Sequence, residues 1–455
     1  MALTVVILSA GKGSRMRSDT PKVLHPLAGK PLAAHVVDAA RQLAPRQIRL
    51  VYGHGAEAVK TALAQYRLHW CLQAEQHGTG HAVNQAMPGI PDDDIVLVLY
   101  GDVPLVAADT LRRLVGLAGG DSLGLLTVRR ANPAGYGRIV RKDGVVQRIV
   151  EQQDATPEQR TITEVNTGLL AARAVDLKRW LAGLGNDNAQ GEYYLTDVIA
   201  MAVAEGLAVK TVITDAEHEV AGVNDKIQLA ALERTFQRLQ AEALMRAGVQ
   251  LADPARLDCR MAQIRHGVDC RIDANVIIEG EVTLGDRVAI GANVILKDCV
   301  IGSDSEILPY SLVEGGVVGE NARVGPYARL RPGAQLADRV RIGNFVEVKQ
   351  ASIAEDAKVN HLTYIGDARI GRRVNVGAGV ITCNYDGANK HLTEIGDDAF
   401  IGSNTALVAP ISVGDNATVG AGSTLSREVP ADGLTVTRAP VERVDHWRRP
   451  QKKTS

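Results

Sequence analysis

Aliphatic residues recur at every sixth position over a long stretch of the chain, from residue 272 to residue 425. A period of six fits neither a helix, with about 3.6 residues per turn, nor an ordinary strand with alternating side chains. It is typical of a parallel β-helix, in which successive turns of chain stack and bury a continuous aliphatic column. The recurring positions form three series: Ile272, Ile278, Leu284, Ile290, Leu296; Val318, Val324, Leu330, Leu336, Ile342, Val348; and Ile395, Ile401, Leu407, Val413, Val419, Leu425. Between these series the spacing slips by one residue.

The pattern before residue 225 is different. Apolar runs at 4–8, 48–52 and 95–100 predict buried strands, and polar, glycine-containing segments separate them. Such alternation predicts an open parallel sheet whose ligand crevice lies at the carboxyl ends of the strands. The spacing of Leu229, Leu232, Phe236 and Leu239 predicts a linking helix. We therefore expect an α/β Rossmann-like domain at 1–226, a linker helix at 227–247 and an all-β domain with a C-terminal tail at 248–455.

Composition narrows the class of protein. The 455 residues are 45% hydrophobic and 23% charged, as in ordinary globular proteins, and the 4% aromatic content suits stacked aliphatic coils. A net charge of -1 gives no reason to expect nucleic-acid binding. No apolar run approaches the length of a membrane span, so we expect no membrane association. A reducing cytoplasm is the simplest setting for five scattered cysteines, Cys71, Cys259, Cys270, Cys299 and Cys383.

A glycine-rich segment, 8–16, follows the first strand. It does not fit a P-loop, because Val6 stands where that motif requires its first glycine and Gly13 stands where it requires a serine or threonine. It does not fit the dinucleotide fingerprint either, because Met16 replaces the third glycine. It is either a plain tight turn or a phosphate site, and the positive charge of Arg15 and Lys22 favours phosphate. Asp102, at the end of the 95–100 strand, is either a Mg²⁺ ligand or a turn residue.

The hexad ladder breaks at a polar loop from Thr382 to Thr393. Loops that interrupt a repeat are common places for function. The coils before the loop carry His361, whose side chain suits general-base chemistry near neutral pH. A lone histidine there would more often be an exposed coil residue, but the nearby polar side chains favour a catalytic role: Glu347, Lys349, Tyr364 and Asn384.

The first domain resembles the sugar-nucleotide pyrophosphorylases. The motifs that carry the resemblance are Leu-x-Ala-Gly-x-Gly-x-Arg-Met at 8–16, Pro-Lys-Val-Leu at 21–24, 75–82, Tyr-Gly-Asp-Val-Pro at 100–104, 135–138, 166–168 and 222–225. Ser9 departs from the more usual alanine. With the hexapeptide domain behind it, nearly the whole chain resembles the bifunctional bacterial family that acetylates glucosamine-1-phosphate and then uridylylates the product.

The resemblance implies roles for the first domain. Mg²⁺ would be bound by Asp102 and Asn224. The residues expected to bind UTP and the sugar nucleotide are Leu8, Ser9, Ala10, Gly11, Gly13, Arg15, Lys22, Gln73, Gly78, Thr79, Tyr100, Gly101, Asp102, Gly137, Glu151, Asn166 and Asn224.

It also implies roles for the second domain, a left-handed β-helix that forms a homotrimer. His361 would be the catalytic base, with Glu347 as its orienting partner and the Ala378 N–H as an oxyanion donor. Glucosamine-1-phosphate would be bound by Arg331, Lys349, Tyr364 and Asn375. Acetyl-CoA would be bound by Ala378, Asn384, Tyr385, Ser403, Ala421 and Arg438, while the basic tail (Arg443, Arg448, Arg449, Lys452, Lys453) is either a solvated end or an aid to binding the CoA phosphates.

Two other functions remain open at this point. One is a nucleotidyltransferase with a non-catalytic β-helix used for assembly. The other is a metal hydratase or a passive interaction module. A trimeric hydratase of this architecture needs three histidine ligands, and the coils offer His361 and His391.

Overall fold

The computed structural model describes residues 1–452, so Lys453 of the basic tail lies outside the described residues. The chain folds into two compact units, Met1–Phe236 and the residues from Gln237 onward. The division between them falls within the helix Lys226–Arg246.

The strands of the first unit are β1 Leu3–Ser9, β2 Pro26–Leu27, β3 Lys30–Pro31, β4 Gln47–Tyr52, β5 His69–Leu72, β6 Ile95–Tyr100, β7 Ser122–Arg129, β8 Arg138–Lys142, β9 Val145–Val150, β10 Glu164–Arg173 and β11 Ala208–Thr214. Its main sheet has the strand order β11-β7-β10-β6-β1-β4-β5, with β8 and β9 attached beside β10, and β2 and β3 form a separate two-stranded sheet. The helices are α1 Leu32–Arg41, α2 Ala56–Ala62, α3 Thr79–Ala86, α4 Ala108–Gly116, α5 Ala174–Ala182, α6 Asp197–Ala204 and α7 Lys226–Arg246.

The sheet is mixed, whereas the sequence pattern predicts a parallel one. Strands β4, β1 and β6 are parallel to one another, but β10 pairs antiparallel with both β6 and β7. The chain reaches β10 from the β8–β9 hairpin, not through a crossover helix, which explains the reversed direction. The carboxyl ends of β1, β5 and β6 still meet at one edge, where the polar loops lie.

The second unit is a parallel β-helix made of two long ladders of short strands. The first sheet contains Gln250–Leu251, Arg271–Ile272, Ala289–Ile290, Glu306–Ile307, Arg323–Val324, Arg341–Asn344, Lys358–His361, Asn375–Val376, Phe400–Ile401, Thr418–Val419 and Leu434–Thr435. The second sheet contains Leu257–His266, Val276–Leu284, Ile295–Ile301, Leu312–Glu314, Val317–Val318, Arg329–Leu330, Ala334–Leu336, Glu347–Ile353, Tyr364–Ile370, Ile381–Cys383, Thr393–Ile395, Ala406–Val408, Ile411–Val413 and Thr424–Leu425.

The hexad ladder forms the core of this unit, as the sequence predicts. Every residue of the three series is buried and belongs to one cluster. Ile272 pairs with Ile290, 18 residues later, whereas Ile290 pairs with Ile307, 17 residues later, because the one-residue slip at Leu296 to Ile301 shortens that coil. At the break in the ladder, Val376 pairs with Ile401, 25 residues later, and the extra residues form the polar loop.

The five cysteines are all free. Within residues 1–452, none of the helices combines the length and the apolar character needed to cross a membrane.

Candidate functional site

The glycine-rich segment leaves the carboxyl end of β1 and turns beside Lys22. Gly13 has φ 61°, and a Cβ there would lie 2.7 Å from Lys22 Cβ. Glycine is therefore required both for the left-handed backbone and for the close approach of the two segments. The approach places Lys22 directly beside the glycine-rich segment.

A cavity of about 220 Å³ opens at this edge of the sheet. It is lined by ten residues that the sequence assigns to nucleotide binding: Leu8, Ser9, Ala10, Gly11, Lys22, Gln73, Gly78, Thr79, Tyr100 and Asp102. Gly101 lies behind it, with its N–H donating to the Leu8 carbonyl over 2.9 Å. Four further lining residues have no counterpart in the sequence prediction: Val23, Gln76, Ala82 and Glu192.

Asp102 and Asn224 meet although they lie 122 residues apart in sequence. The Val223 N–H donates to the Asp102 carbonyl over 2.9 Å, which brings the next residue alongside. Lys22 Nζ is ion-paired with the Asp102 carboxylate and lies 3.3 Å from Asn224 Oδ1. Two oxygens from distant segments thus face one cation, and one or two such oxygens completed by phosphates suit Mg²⁺. The residues present fit the expected metal ion.

A second cavity, of about 380 Å³, shares Tyr100 and Asp102 with the first. Arg15 and Asn224 line it, so two more of the predicted residues face the same region. Its other lining residues are Val103, Ala134, Gly135, Tyr136, Thr167, Val220, Gly222 and Gln228. The two cavities meet at Asp102, which allows two ligands to approach each other there.

Gly137, Glu151 and Asn166 also come together. The Asn166 N–H donates to the Gly137 carbonyl over 2.8 Å, and a Cβ on Gly137 would lie 3.2 Å from Glu151 Oε1. Burial raises the pKa of Glu151, although a hydrogen bond from Thr196 Oγ1, 3.2 Å away, opposes the shift. A carboxylate in this setting can accept hydrogen bonds from sugar hydroxyl or amide groups.

The sequence does not predict a role for the segment from Glu192 to Thr196, but this segment lies against the first cavity beside Gly78 and Thr79. The Gly80 N–H donates to the Tyr193 carbonyl over 2.8 Å, and the Leu195 N–H donates to Thr79 Oγ1 over 3.1 Å. In the sequence this segment is marked only by a run of polar and aromatic residues between Gly191 and helix α6, and the run has no periodicity that would indicate a binding role.

Tyr100 stands between the two cavities. Gly168 has φ 84°, and a Cβ there would lie 2.5 Å from the Tyr100 ring, so only glycine leaves room for this ring. Burial raises the pKa of Tyr100, and the nearby carboxylates of Asp102 and Glu151 add to the shift. Tyr100 therefore stays neutral and can donate its hydroxyl hydrogen.

In the second unit, His361 belongs to a file of residues at one corner of the coils. Leu362, Gly379, Asn404 and Gly422 each donate a backbone N–H to the preceding coil at this corner. The carbonyls that accept belong to Asn344, His361, Ala378 and Ser403, at distances of 2.7–3.2 Å. Ala421 is next in the file, and its carbonyl accepts from Arg438 Nη1. The corner thus brings together His361 and four residues predicted to bind acetyl-CoA: Ala378, Ser403, Ala421 and Arg438.

His361 Nδ1 lies 2.9 Å from Asn344 Oδ1. An amide oxygen only accepts hydrogen bonds, so Nδ1 carries the hydrogen and Nε2 of the neutral ring is free to accept a proton. The partner predicted from the sequence was Glu347, but Glu347 Oε1 instead accepts from Arg331 Nη1 over 2.8 Å. The reason is the coil register, which pairs His361 with Asn344 and pairs Glu347 with Tyr364.

Positive charge gathers on the second sheet beside the polar loop. The neighbouring ammonium of Lys349 lowers the pKa of Lys390, a loop residue absent from the sequence prediction. Asn384 Nδ2 donates to the Asp367 carboxylate and lies 3.5 Å from the Tyr364 hydroxyl. The Asp367 carboxylate opposes this shift in the pKa of Lys390 without cancelling it, so the two adjacent ammonium groups favour an anion such as a phosphate.

The loop itself is compact. His391 Nε2 lies 2.7 Å from Asp386 Oδ2, and the same carboxylate accepts the N–H groups of Asn389 and Ala388. The Asn389 N–H is the largest cause of the lowered pKa of Asp386. Tyr385 is exposed, with its hydroxyl donating to the Gly387 carbonyl over 2.6 Å.

Asn375 does not join the other residues assigned to glucosamine-1-phosphate. It lies on the first sheet, paired with Lys358 and Phe400, whereas Lys349 and Tyr364 lie on strands of the second sheet. Among residues 1–452 no group of three or more His, Cys, Asp or Glu side chains is arranged to bind a metal ion.

Comparison with known families agrees with this organisation. Residues 5–160 match the MobA-like NTP transferase domain, residues 263–342 the GMPPB C-terminal domain, and residues 393–427 the hexapeptide repeat of succinyl-transferase. The chain therefore contains a nucleotidyltransferase domain followed by a hexapeptide repeat of the kind found in a succinyl-transferase.

Two solved structures are similar to about half of the chain. A nucleotidyl transferase from Methanothermobacter thermautotrophicus is 21% identical, with a TM-score of 0.39, and the match covers 52% of this chain and 99% of that one. A protein described as a glucose-1-phosphate thymidylyltransferase from Bacillus anthracis, solved with sucrose, is 17% identical, with a TM-score of 0.42, and the match covers 51% and 94% of the two chains. Values this low identify neither a substrate nor an activity.

Proposed function

We propose that this chain is a bifunctional enzyme that makes UDP-N-acetylglucosamine. The β-helical unit transfers the acetyl group of acetyl-CoA to the amine of glucosamine-1-phosphate. The α/β unit then transfers the uridylyl group of UTP to N-acetylglucosamine-1-phosphate and releases pyrophosphate. The observation that supports acetyl transfer best is the corner file that joins His361 to Ala378, Ser403 and Ala421, because a passive scaffold has no need of an oriented base beside a row of small residues.

In the acetyl step, Nε2 of His361 takes a proton from the ammonium group of the sugar. The freed amine nitrogen bonds to the thioester carbonyl carbon, and the carbon–sulfur bond then breaks. Of the two protons that the ammonium loses, one goes to the departing thiolate and the other to solvent. The Ala378 N–H makes no hydrogen bond within the described part of the chain, which leaves it available to the developing oxyanion.

In the uridylyl step, a phosphate oxygen of the sugar phosphate bonds to the α-phosphorus of UTP, and the bond to pyrophosphate breaks. The attacking oxygen is already anionic, so no general base is required, and positioning with charge neutralisation carries the catalysis. Lys22 and Arg15 supply fixed positive charge beside the cavities. Mg²⁺ bound by Asp102 and Asn224 would neutralise further phosphate charge.

The same proposal includes a homotrimer. The residues assigned to glucosamine-1-phosphate lie on two sheets of one chain, Asn375 on the first and Lys349 and Tyr364 on the second. A site that uses all of them is completed when the first sheet of one copy faces the second sheet of another. The five free cysteines support a reducing compartment, the cytoplasm, as the setting.

One set of incubations tests the two activities separately. The purified chain receives UTP and Mg²⁺ with either glucosamine-1-phosphate or N-acetylglucosamine-1-phosphate, with and without acetyl-CoA, while pyrophosphate and free thiol are measured. We expect thiol only with acetyl-CoA and the unacetylated sugar. Pyrophosphate should appear with the acetylated sugar, and with the unacetylated sugar only when acetyl-CoA is present. Pyrophosphate without thiol release would identify a nucleotidyltransferase with a non-catalytic β-helix.

A further inference from the structure

The Gln73 side chain, which lines the first cavity, is buried with 3% exposure, and its amide is fixed by two neighbours. Gln73 Nε2 lies 3.2 Å from the Gly78 carbonyl oxygen and 3.1 Å from His81 Nδ1. A carbonyl oxygen can only accept, so the amide group facing Gly78 must be the NH₂. The positions of Nε2 and Oε1 in the Gln73 side chain are therefore assigned.

The same geometry fixes the tautomer of His81. The NH₂ of Gln73 only donates, so His81 Nδ1 must be the unprotonated, accepting nitrogen. The hydrogen of the neutral ring is then on Nε2, which lies 3.1 Å from the side-chain amide of Gln85. A half-turn of the Gln85 amide, which preserves its shape, places its oxygen there to accept that hydrogen.

Both hydrogens of the Gln73 amide are therefore used by the protein, one by Gly78 and one by His81. The only part of this amide with capacity for a ligand is Oε1, an acceptor. A pyrimidine with N–H at ring position 3, such as uracil or thymine, can donate to it. Cytosine presents a lone pair at that position, and two facing acceptors repel.

We propose that His81 is a positioning residue that sets base selectivity through Gln73, so that the cavity selects pyrimidines with a ring N–H over cytosine. This inference rests on the proposed nucleotide site and adds to it the residue that decides which base is accepted. His81 Nδ1 accepts a hydrogen bond from the Gln73 NH₂ and so prevents Gln73 from turning that group toward the ligand. A buried acceptor that is matched to a donor on one base discriminates strongly, because the wrong base leaves buried polar groups without hydrogen-bond partners.

The test compares kcat/KM for UTP and CTP, with N-acetylglucosamine-1-phosphate and Mg²⁺, in the full-length protein. We expect His81→Leu to lower the UTP-to-CTP selectivity ratio by about tenfold to a hundredfold. His81→Asn should retain most of the ratio, because Asn Oδ1 can stand where Nδ1 accepted. The matched control is His77→Leu, the same change at a neighbour whose ring lies 5.2 Å from that of His81 and whose Nε2 lies 2.7 Å from Glu75 Oε2.

The outcomes separate this inference from the proposed function. Equal losses of kcat/KM for both nucleotides in His81→Leu would show a structural role only and overturn the inference, as would a wild-type enzyme that uses CTP as well as UTP. The wild-type measurement decides even where His81→Leu does not fold. A wild-type protein that uses no nucleoside triphosphate would instead overturn the proposed function.

Discussion

His361 Nδ1 donates to Asn344 Oδ1 over 2.9 Å, and the two residues stand one coil apart in register. The contact fixes the ring so that Nε2 faces away from the protein partner. The neutral amide thereby holds the ring in the tautomer whose Nε2 can accept a proton.

Replacing either His361 or Asn344 is expected to impair acetyl transfer and to leave uridylyl transfer intact. His361→Ala should lower kcat for thiol release by about 10²–10⁴-fold, because a positioned base contributes that much. Asn344→Ala should lower it by about tenfold to a hundredfold through loss of ring orientation. Pyrophosphate release should be unchanged in both. The control is Gln335→Ala, an exposed residue of another coil; full acetyltransferase activity in His361→Ala would contradict the assignment.

Asp102→Ala is expected to have the reverse effect. Loss of the carboxylate that faces Lys22 and Asn224 removes the place for a divalent cation, so pyrophosphate release should fall by roughly 10²–10³-fold while thiol release persists. Asp109→Ala, at an exposed carboxylate of the same unit, is the control. If titrating Mg²⁺ gave the same activation curve for Asp102→Ala as for wild type, Asp102 would not be a ligand.

Glu151 provides a prediction on stability against pH. Burial raises its pKa in the folded state, so the folded protein favours the protonated form. The contribution of Glu151 to the free energy of unfolding is fully present below about pH 4.3, the pKa of this group in the unfolded chain. It is lost as the pH rises through the higher pKa that the group has in the folded protein. Glu151→Gln mimics the protonated form, so its Tm should exceed that of wild type at pH 7 and converge with it below about pH 4.

The measurement is thermal unfolding at several pH values, with the exposed Glu158→Gln as control. The same Glu151→Gln variant should show a higher KM for the sugar phosphate. A Tm difference that did not depend on pH would mean that the charge of Glu151 is not the cause.

Lys390 is expected to contribute to binding of the sugar phosphate. The Lys349 ammonium beside it lowers the pKa of Lys390, and a bound phosphate would relieve this repulsion. Lys390→Gln should raise KM for glucosamine-1-phosphate by about tenfold with a smaller effect on kcat. Lys358→Gln, on the first sheet, serves as the control. An unchanged KM at low ionic strength would exclude the role.

The separation of Asn375 from Lys349 and Tyr364 predicts complementation between subunits. Tyr364→Ala and Asn375→Ala should each be weak in acetyl transfer when tested separately. Mixing them under conditions that allow subunit exchange should restore part of the activity, because some interfaces then combine an intact Tyr364 of one copy with an intact Asn375 of another. Sedimentation should show three copies per particle, and a monomer with full activity would overturn the arrangement.

The periodic part of the fold was determined by the sequence alone. Each coil buries the same aliphatic positions, so hexads such as Ile395 to Leu425 specify a β-helix locally, and the slip at Leu296 specifies a shorter coil. The glycine-rich segment and the motif residues around Asp102 were also readable, since parallel strands place their ends at one edge.

Only the tertiary structure decided which side chains meet. Asn344 rather than Glu347 orients His361 because partners lie a whole coil apart, and the register sets Asn344 opposite His361 and Glu347 opposite Tyr364. Lys390 reaches Lys349 through the shape of a loop that follows no repeat. The direction of β10 and the amide orientation of Gln73 likewise depend on contacts between segments distant in sequence or on hydrogen-bond geometry, which periodicity does not record.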